Sequence, residues 1–234
     1  MRIPRSIQLY DDSGSVHKYW QCHNRAFLLS KSEIKDLYLS YTKKALEHKS
    51  VEGNISLTCF CIMNNHAHML LDYKKSSRFL SQLMRIAHSQ FGYTYNKLHN
   101  KSGKVANERP KTPLIEDPNH NIRAHFYVEA NPIRAGFRKL SNLHLYKYSS
   151  YGFYAFGIKT KWTPLLIIPN WYLNLGKTSR DRQRTYRKLF KEYLNENIHS
   201  SQFFKNFIGS LIWVQKKIDQ TKTRIEARGQ SPPK

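Results

Sequence analysis

Two histidines separated by one residue, His66-Ala67-His68, lie in the run Cys61-Ile-Met-Asn-Asn-His-Ala-His-Met-Leu-Leu71. The run reads as strand, and side chains at i and i+2 of a strand point to the same face. Two imidazoles would then stand side by side, a spacing suited to sharing one divalent ion; the plainer alternative is two polar strand residues facing solvent. Further on, Arg123, Tyr127 and Asn131 recur at i, i+4 and i+8 of a predicted helix whose Ile122 and Phe126 point inward. They form a second stripe about 100° round from the core stripe. A tyrosine nucleophile needs its phenol, of ordinary pKa about 10, deprotonated near neutral pH. It also needs the attacked phosphate polarised and aligned, which a bound divalent cation can do. Arg123 could stabilise transition-state charge, and Asn131 could offer an oxygen ligand. Against this, one of 15 tyrosines on a helix rim needs no chemistry to explain it, and Asn131 before Pro132 can simply end the helix.

The elements that must position these residues follow from periodicity and punctuation. Residues 16–29 read as a strand with a ragged end, and Ser30 with Glu33 has capping-box spacing ahead of a helix over 31–48. Ile55 to Met63 is apolar on both faces, as a buried central strand would be. Asn64-Asn65 can form a two-residue turn because Asn tolerates positive φ, and His66 to Tyr73 returns as the next strand. A second helix, capped at Ser76-Ser77, buries Leu80, Leu83, Met84, Ala87 and Phe91. After a basic loop over 96–110, Thr112 to Ile115 is a short strand. Asp117-Pro118 starts the tyrosine helix, which stops at Asn131-Pro132. Strand, helix, strand, strand, helix, strand is the split βαβ pattern of an α+β, ferredoxin-like sandwich, expected with helices on one face and the other left for a ligand. An aromatic, basic helical extension follows over 141–220. It includes a helix over 178–194 carrying Arg180, Arg184, Arg187, Lys188 and Lys191, and a last helix marked by Phe203, Phe204, Phe207, Ile208 and Leu211. The tail over 221–234 is expected to be disordered.

Composition sets the partner class. The 234 residues carry 39 Lys and Arg against 16 Asp and Glu, a formal net charge of +23. That excess implies a polyanion, with nucleic acid the first candidate and an anionic membrane surface the second. No apolar run approaches the roughly 20 residues of a spanning helix. The start Met1-Arg-Ile-Pro-Arg5 lacks a secretory apolar stretch, and Cys22, Cys59 and Cys61 have no framework spacing, so a reducing cytoplasmic setting is expected.

The run from Cys61 to Leu71 closely resembles the HUH motif of single-tyrosine transposases. Tyr127-Val-Glu-Ala-Asn-Pro-Ile-Arg-Ala-Gly136 resembles the tyrosine motif of the same family, in particular its REP-associated members. The resemblance runs from about Lys18 to Tyr151 and takes in Asn24-Arg25, the stretch from Gly103 to Asp117, and Tyr148-Ser-Ser-Tyr151. It implies an endonuclease that cuts and rejoins single-stranded DNA beside a DNA hairpin through a 5′-phosphotyrosine link. In that reading His66, His68 and Asn131 hold Mg²⁺ or Mn²⁺, Tyr127 is the nucleophile, and Arg109 and Arg134 contact DNA, in a monomer or a homodimer. The chain departs from the family at Ala67, Ala106, Pro110 and Tyr148, where larger apolar or aromatic residues are usual. Those departures bear on the grip on DNA more than on the chemistry.

Two rival readings stand beside it. A binding protein descended from such an enzyme would keep charge and aromatics but not cut. Alternatively, Cys59, Cys61, His66 and His68 could approach a Cys₂His₂ zinc set, because a two-residue turn pairs Cys61 with His68. The helix over 178–194 is either a solvated face or, through Arg184, Arg187 and Lys188, a further DNA grip.

Overall fold

The computed structural model describes residues 3–116, 118–196 and 205–227. After one helical turn, α1 (Arg5–Gln8), strand β1 runs Gly14–Gln21, shorter than expected. It gives way to a 3₁₀ turn over His23–Arg25, in which Asn24 and Arg25 take left-handed backbone angles that no strand accommodates. In α2 (Ser32–Leu46) the expected Ser30 side-chain cap is not made; the Ser30 carbonyl instead accepts from Lys35 Nζ at 3.0 Å. Strands β2 (Ile55–Ile62) and β3 (His66–Tyr73) form the β-hairpin, and α3 (Arg78–Leu98) buries the five residues its periodicity marks. Then come β4 (Leu114–Ile115), α4 (Pro118–Glu129) and a further turn of helix, α5 (Asn131–Arg134). The expected cap at Asp117 lies outside the described residues.

The extension supplies α6 (Tyr151–Phe156), α7 (Asn170–Leu173), α8 (Ser179–Asn195), β5 (Phe207–Ile208) and α9 (Leu211–Glu226). The last helix therefore starts at Leu211 rather than ahead of it. Phe207 and Ile208 are strand, paired in parallel with β4, while Phe203 and Phe204 lie outside the described residues. Residues 221–226, expected in a disordered tail, complete α9, where Thr221 and Ile225 are buried.

The sheet order is β2-β3-β1-β4-β5, with β3 antiparallel to β2 and β1, and β1 antiparallel to β4. The first four strands are the split βαβ arrangement the pattern predicts. On one face α2 and α3 cover β1: Trp20 packs on Tyr38 and Phe91, and its Nε1 donates to the Tyr38 hydroxyl at 2.7 Å. The opposite face is not left open. His125 of α4 bonds the Thr58 carbonyl of β2 through Nε2 at 3.1 Å. Phe126 on the same helix packs against Tyr186, Phe190 and Tyr193 of α8. Residues 124–130 are thus buried all round, because α4 is sandwiched between the sheet and α8. The outer edge of β2 is closed by Tyr148 and Ser150: the Ile62 amide donates to the Tyr148 carbonyl at 2.9 Å and the Ser150 amide to the Phe60 carbonyl at 3.0 Å. Among the described residues no helix is long and apolar enough to cross a membrane.

Candidate functional site

The β2–β3 hairpin turns at Asn64-Asn65, closed by the Met63 amide donating to the His66 carbonyl at 2.8 Å, and pairs Cys61 with His68 as predicted. Neither asparagine takes positive φ, so the conformational reason for that turn does not hold although its length does. His66 and His68 share one face, their ring centroids 4.9 Å apart. His68 does not face solvent, being 1% exposed beneath α4, while His66 is half-buried.

The end of α4 is shaped by Pro132, which has no amide to offer the carbonyl four residues back, that of Val128. Asn131 fills the gap, its Nδ2 donating to the Val128 carbonyl at 3.1 Å and the Tyr127 carbonyl at 3.0 Å. With the amide nitrogen so committed, the Asn131 oxygen is left over for the site, and the nearby Asn131 side chain favours the charged form of His66. Gly136, at φ +66°, lets the chain leave α5. Arg134 of α5 folds back over Tyr127, its guanidinium carbon 4.2 Å from the ring centroid and a nitrogen donating to the Tyr127 carbonyl. The Tyr127 ring stands edge-on to the His68 ring at 5.8 Å between centroids.

Electrostatics complete the picture. Burial pushes His66 down to about 4 against the opposing bond to Asn131. Burial, then the neighbouring His66, His17 and Arg134, hold His68 well below the usual histidine range. Both imidazoles are therefore neutral, with lone pairs to give, at neutral pH. Burial raises Tyr127 above the ordinary phenol, and the Arg134 guanidinium works against that rise. Two neutral imidazoles beside an amide oxygen form a donor set fit for a divalent ion. On ligand softness the nitrogens favour Mn²⁺ over Mg²⁺, which prefers an all-oxygen shell.

The structure thus brings together His66, His68, Tyr127, Asn131 and Arg134, and does not bring Arg123. Its Nη2 pairs with Glu196 at 2.7 Å, one helical turn away. Arg109 is exposed and borders, with Tyr19, Gln21 and Lys111, a cleft of about 90 Å³. Tyr19 connects that cleft to the site, its ring centroid 5.0 Å from that of His68. On α8 the three expected contacts differ. Arg184 and Lys188 are exposed and, among the described residues, pair within the helix to Asp181 and Glu192. Arg187 is half-buried, bonded to the Ala155 carbonyl over the Phe156 ring, so it fastens α8 to α6.

The Cys₂His₂ set is not assembled. Burial raises the Cys59 and Cys61 thiols, which keeps them protonated. Cys61 lies against the Met63 sulfur and Cys59 against Ser150, while among the described residues Cys59 groups with His125 and Glu129 as possible ligands. Glu129 and His125, and also His17, were missed by spacing. His17 is fully buried, with Nε2 2.8 Å from His68 Nδ1.

No protein-family model matches the chain, and no curated protein matches it. Several solved chains resemble it. One of them, described as the REP-associated tyrosine transposase bound to a REP hairpin, is similar over 63% of this chain and 82% of that one, at 11% identity and a TM-score of 0.45.

Proposed function

We propose that the protein is a metal-dependent endonuclease and strand transferase that cuts and rejoins single-stranded DNA beside DNA hairpins, as DNA transposition requires. The observation that carries this reading is the packing of the Tyr127 ring against His68, with His66 beside it and Asn131 bonded to the Tyr127 carbonyl one turn along. The net charge of +23 supplies the attraction for the polyanion. Residues 1–140 would form the catalytic unit and 141–220 brace it, working in the cytoplasm where chromosomal DNA lies.

In this reading His66, His68 and Asn131 hold Mg²⁺ or Mn²⁺, whose chemistry is to polarise the scissile phosphate. Tyr127 gives up its phenolic proton and attacks phosphorus. The bond from its oxygen to phosphorus forms as the bond from phosphorus to the 3′ oxygen breaks. That oxygen takes up a proton and leaves as a free 3′-hydroxyl, while the 5′-phosphate stays on the tyrosine. Attack by another 3′-hydroxyl reverses the sequence, so the bond energy is conserved and no external source is needed. Arg134, already over the phenol, favours its ionised form and meets the charge that develops on phosphate. Because Tyr127 is 3% exposed, the phosphate must displace part of its cover, and Arg134 is the side chain placed to move onto it.

Incubating the protein with a library of single-stranded DNA hairpins and Mn²⁺ is expected to yield covalent adducts on the peptide containing Tyr127. A protein that binds the library tightly with no adduct under any divalent ion would instead be the non-cutting relative. The exposed Arg184 and Lys188 are expected to grip the strand. Replacing both by alanine should make the salt dependence of binding shallower, by about 0.7 in slope for each phosphate that is no longer neutralised. An unchanged slope would remove α8 from the DNA path.

A further inference from the structure

His17 lies on β1, which pairs antiparallel with β3 in a register that sets Tyr19 opposite His68 and His17 opposite Leu70. His17 and His68 are therefore diagonal neighbours on one face, within reach of each other because both side chains are long. Their ring planes are 10° apart and the facing nitrogens, His17 Nε2 and His68 Nδ1, are 2.8 Å apart. That is the geometry of one N–H···N hydrogen bond, and one proton lies between the two rings.

The proton can belong to either ring, and the choice decides what His68 can do. If His17 donates, neutral His68 carries its own proton on Nε2 and has no lone pair to offer from that atom. If His68 donates from Nδ1, its Nε2 is a bare lone pair. His66 is arranged in the second manner: the Asn65 side-chain oxygen, 2.6 Å from His66 Nδ1, can only accept. A histidine that binds a metal commonly hands its other ring N–H to a fixed acceptor, which sets tautomer and ring orientation together.

We propose that His17 is the positioning residue for His68, accepting its Nδ1 proton through Nε2 and so keeping His68 Nε2 free to take a divalent cation. This rests on the reading of His66, His68 and Asn131 as a metal site. His17 does not touch the ion or the DNA; it acts through His68. A neutral imidazole suits the place better than a carboxylate, because the site is buried and an added negative charge would have to be desolvated.

Two measurements on the full chain test it. Nitrogen-15 histidine spectra of the wild-type protein without metal, with His68 assigned by its loss in His68→Gln, are expected to show His68 protonated at Nδ1. A spectrum showing the proton on Nε2 overturns the proposal, whatever any variant does. Second, titration with Mn²⁺, read from the disappearance of the free-ion electron paramagnetic resonance signal, compares His17→Phe with His17→Gln. The phenylalanine, which fills the space without accepting, should weaken Mn²⁺ binding about 10- to 100-fold. The glutamine, whose amide oxygen can accept, should recover most of that affinity. Wild-type affinity in a folded His17→Phe protein overturns the proposal. Wild-type protein that binds no Mn²⁺ at all overturns the metal reading instead, and the tautomer spectrum still decides what His17 does to His68.

Discussion

Replacing Tyr127 by phenylalanine is expected to abolish covalent capture of single-stranded DNA and lower cleavage by at least about 10³-fold, with binding nearly unchanged. The change removes one oxygen and leaves the ring, which packs on the edges of His17 and His68 and on the guanidinium of Arg134. Fold stability should therefore move by no more than about 1 kcal/mol, since only hydrogen bonding by the hydroxyl is removed. The variant also separates the phenols of the site. Tyr19 is half-buried rather than buried, and its ring lies as near His68 as that of His17 does. Tyr193 of α8 receives a hydrogen bond from Arg134 at 3.5 Å. Undiminished cutting by the Tyr127→Phe protein, with the adduct moved to the Tyr19 peptide, would refute the assignment of the nucleophile while leaving the histidine pair in place. Measuring adduct, cleavage and affinity on the same DNA keeps a binding defect from passing for a chemical one.

What the sequence made legible here is whatever local periodicity can carry. The β2–β3 register followed from turn length, and with it the shared face of His66 and His68. The i, i+4 relation of Tyr127 and Asn131 followed from helix geometry, and the buried stripe of α3 from its spacing. Longer-range facts were not legible. His17 stands alone in Val16-His17-Lys18, with no partner at strand or helix spacing, and only the pairing of β1 with β3 sets it against a residue 51 positions away. Arg123 shares the stripe of Tyr127, but the end of α8 supplies Glu196 and takes it out of the site. The two-residue strand β5 is too short to leave a pattern and exists because β4 offers it an edge. The burial of His125 and Glu129 was not legible, because helix periodicity alone cannot reveal that a second helix covers the first.

That covering helix makes Glu129 a pH-sensitive group of the fold. Ser150 Oγ donates to Glu129 Oε1 at 2.6 Å, and the Tyr186 hydroxyl lies 2.5 Å from Oε2 and 3.1 Å from His125 Nδ1. His125 Nε2, facing the Thr58 carbonyl, must carry that ring's proton, so Nδ1 needs a donor. One phenolic proton cannot serve both Glu129 and His125. If Glu129 keeps its own proton, it donates to Tyr186, Tyr186 donates to His125, and every group is satisfied. Burial accordingly pushes Glu129 from 4.5 up to about 8, against the opposing bonds from Ser150, Tyr186 and Cys59. A pKa raised in the folded state means stability that is fully present below about 4.5 and drains away as pH rises towards 8, because the unfolded chain releases a proton the folded chain retains. Glu129→Gln, which donates from nitrogen where the acid donates from oxygen, has no such proton to lose. Denaturation of both proteins across this range should show the glutamine variant gaining on wild type by about tenfold in the folding equilibrium per pH unit, a few kcal/mol in all, then levelling off near pH 8. The depressed histidines, which add stability as pH rises to about 6.5, are present in both proteins and cancel in the comparison. Parallel curves would mean that Glu129 is ionised in the fold. The same bonds hold α4 to α8 and to Ser150, and they fix the rotation of the helix that turns Tyr127 towards His68. Raising the pH should therefore loosen the wild-type site before it loosens that of the glutamine variant.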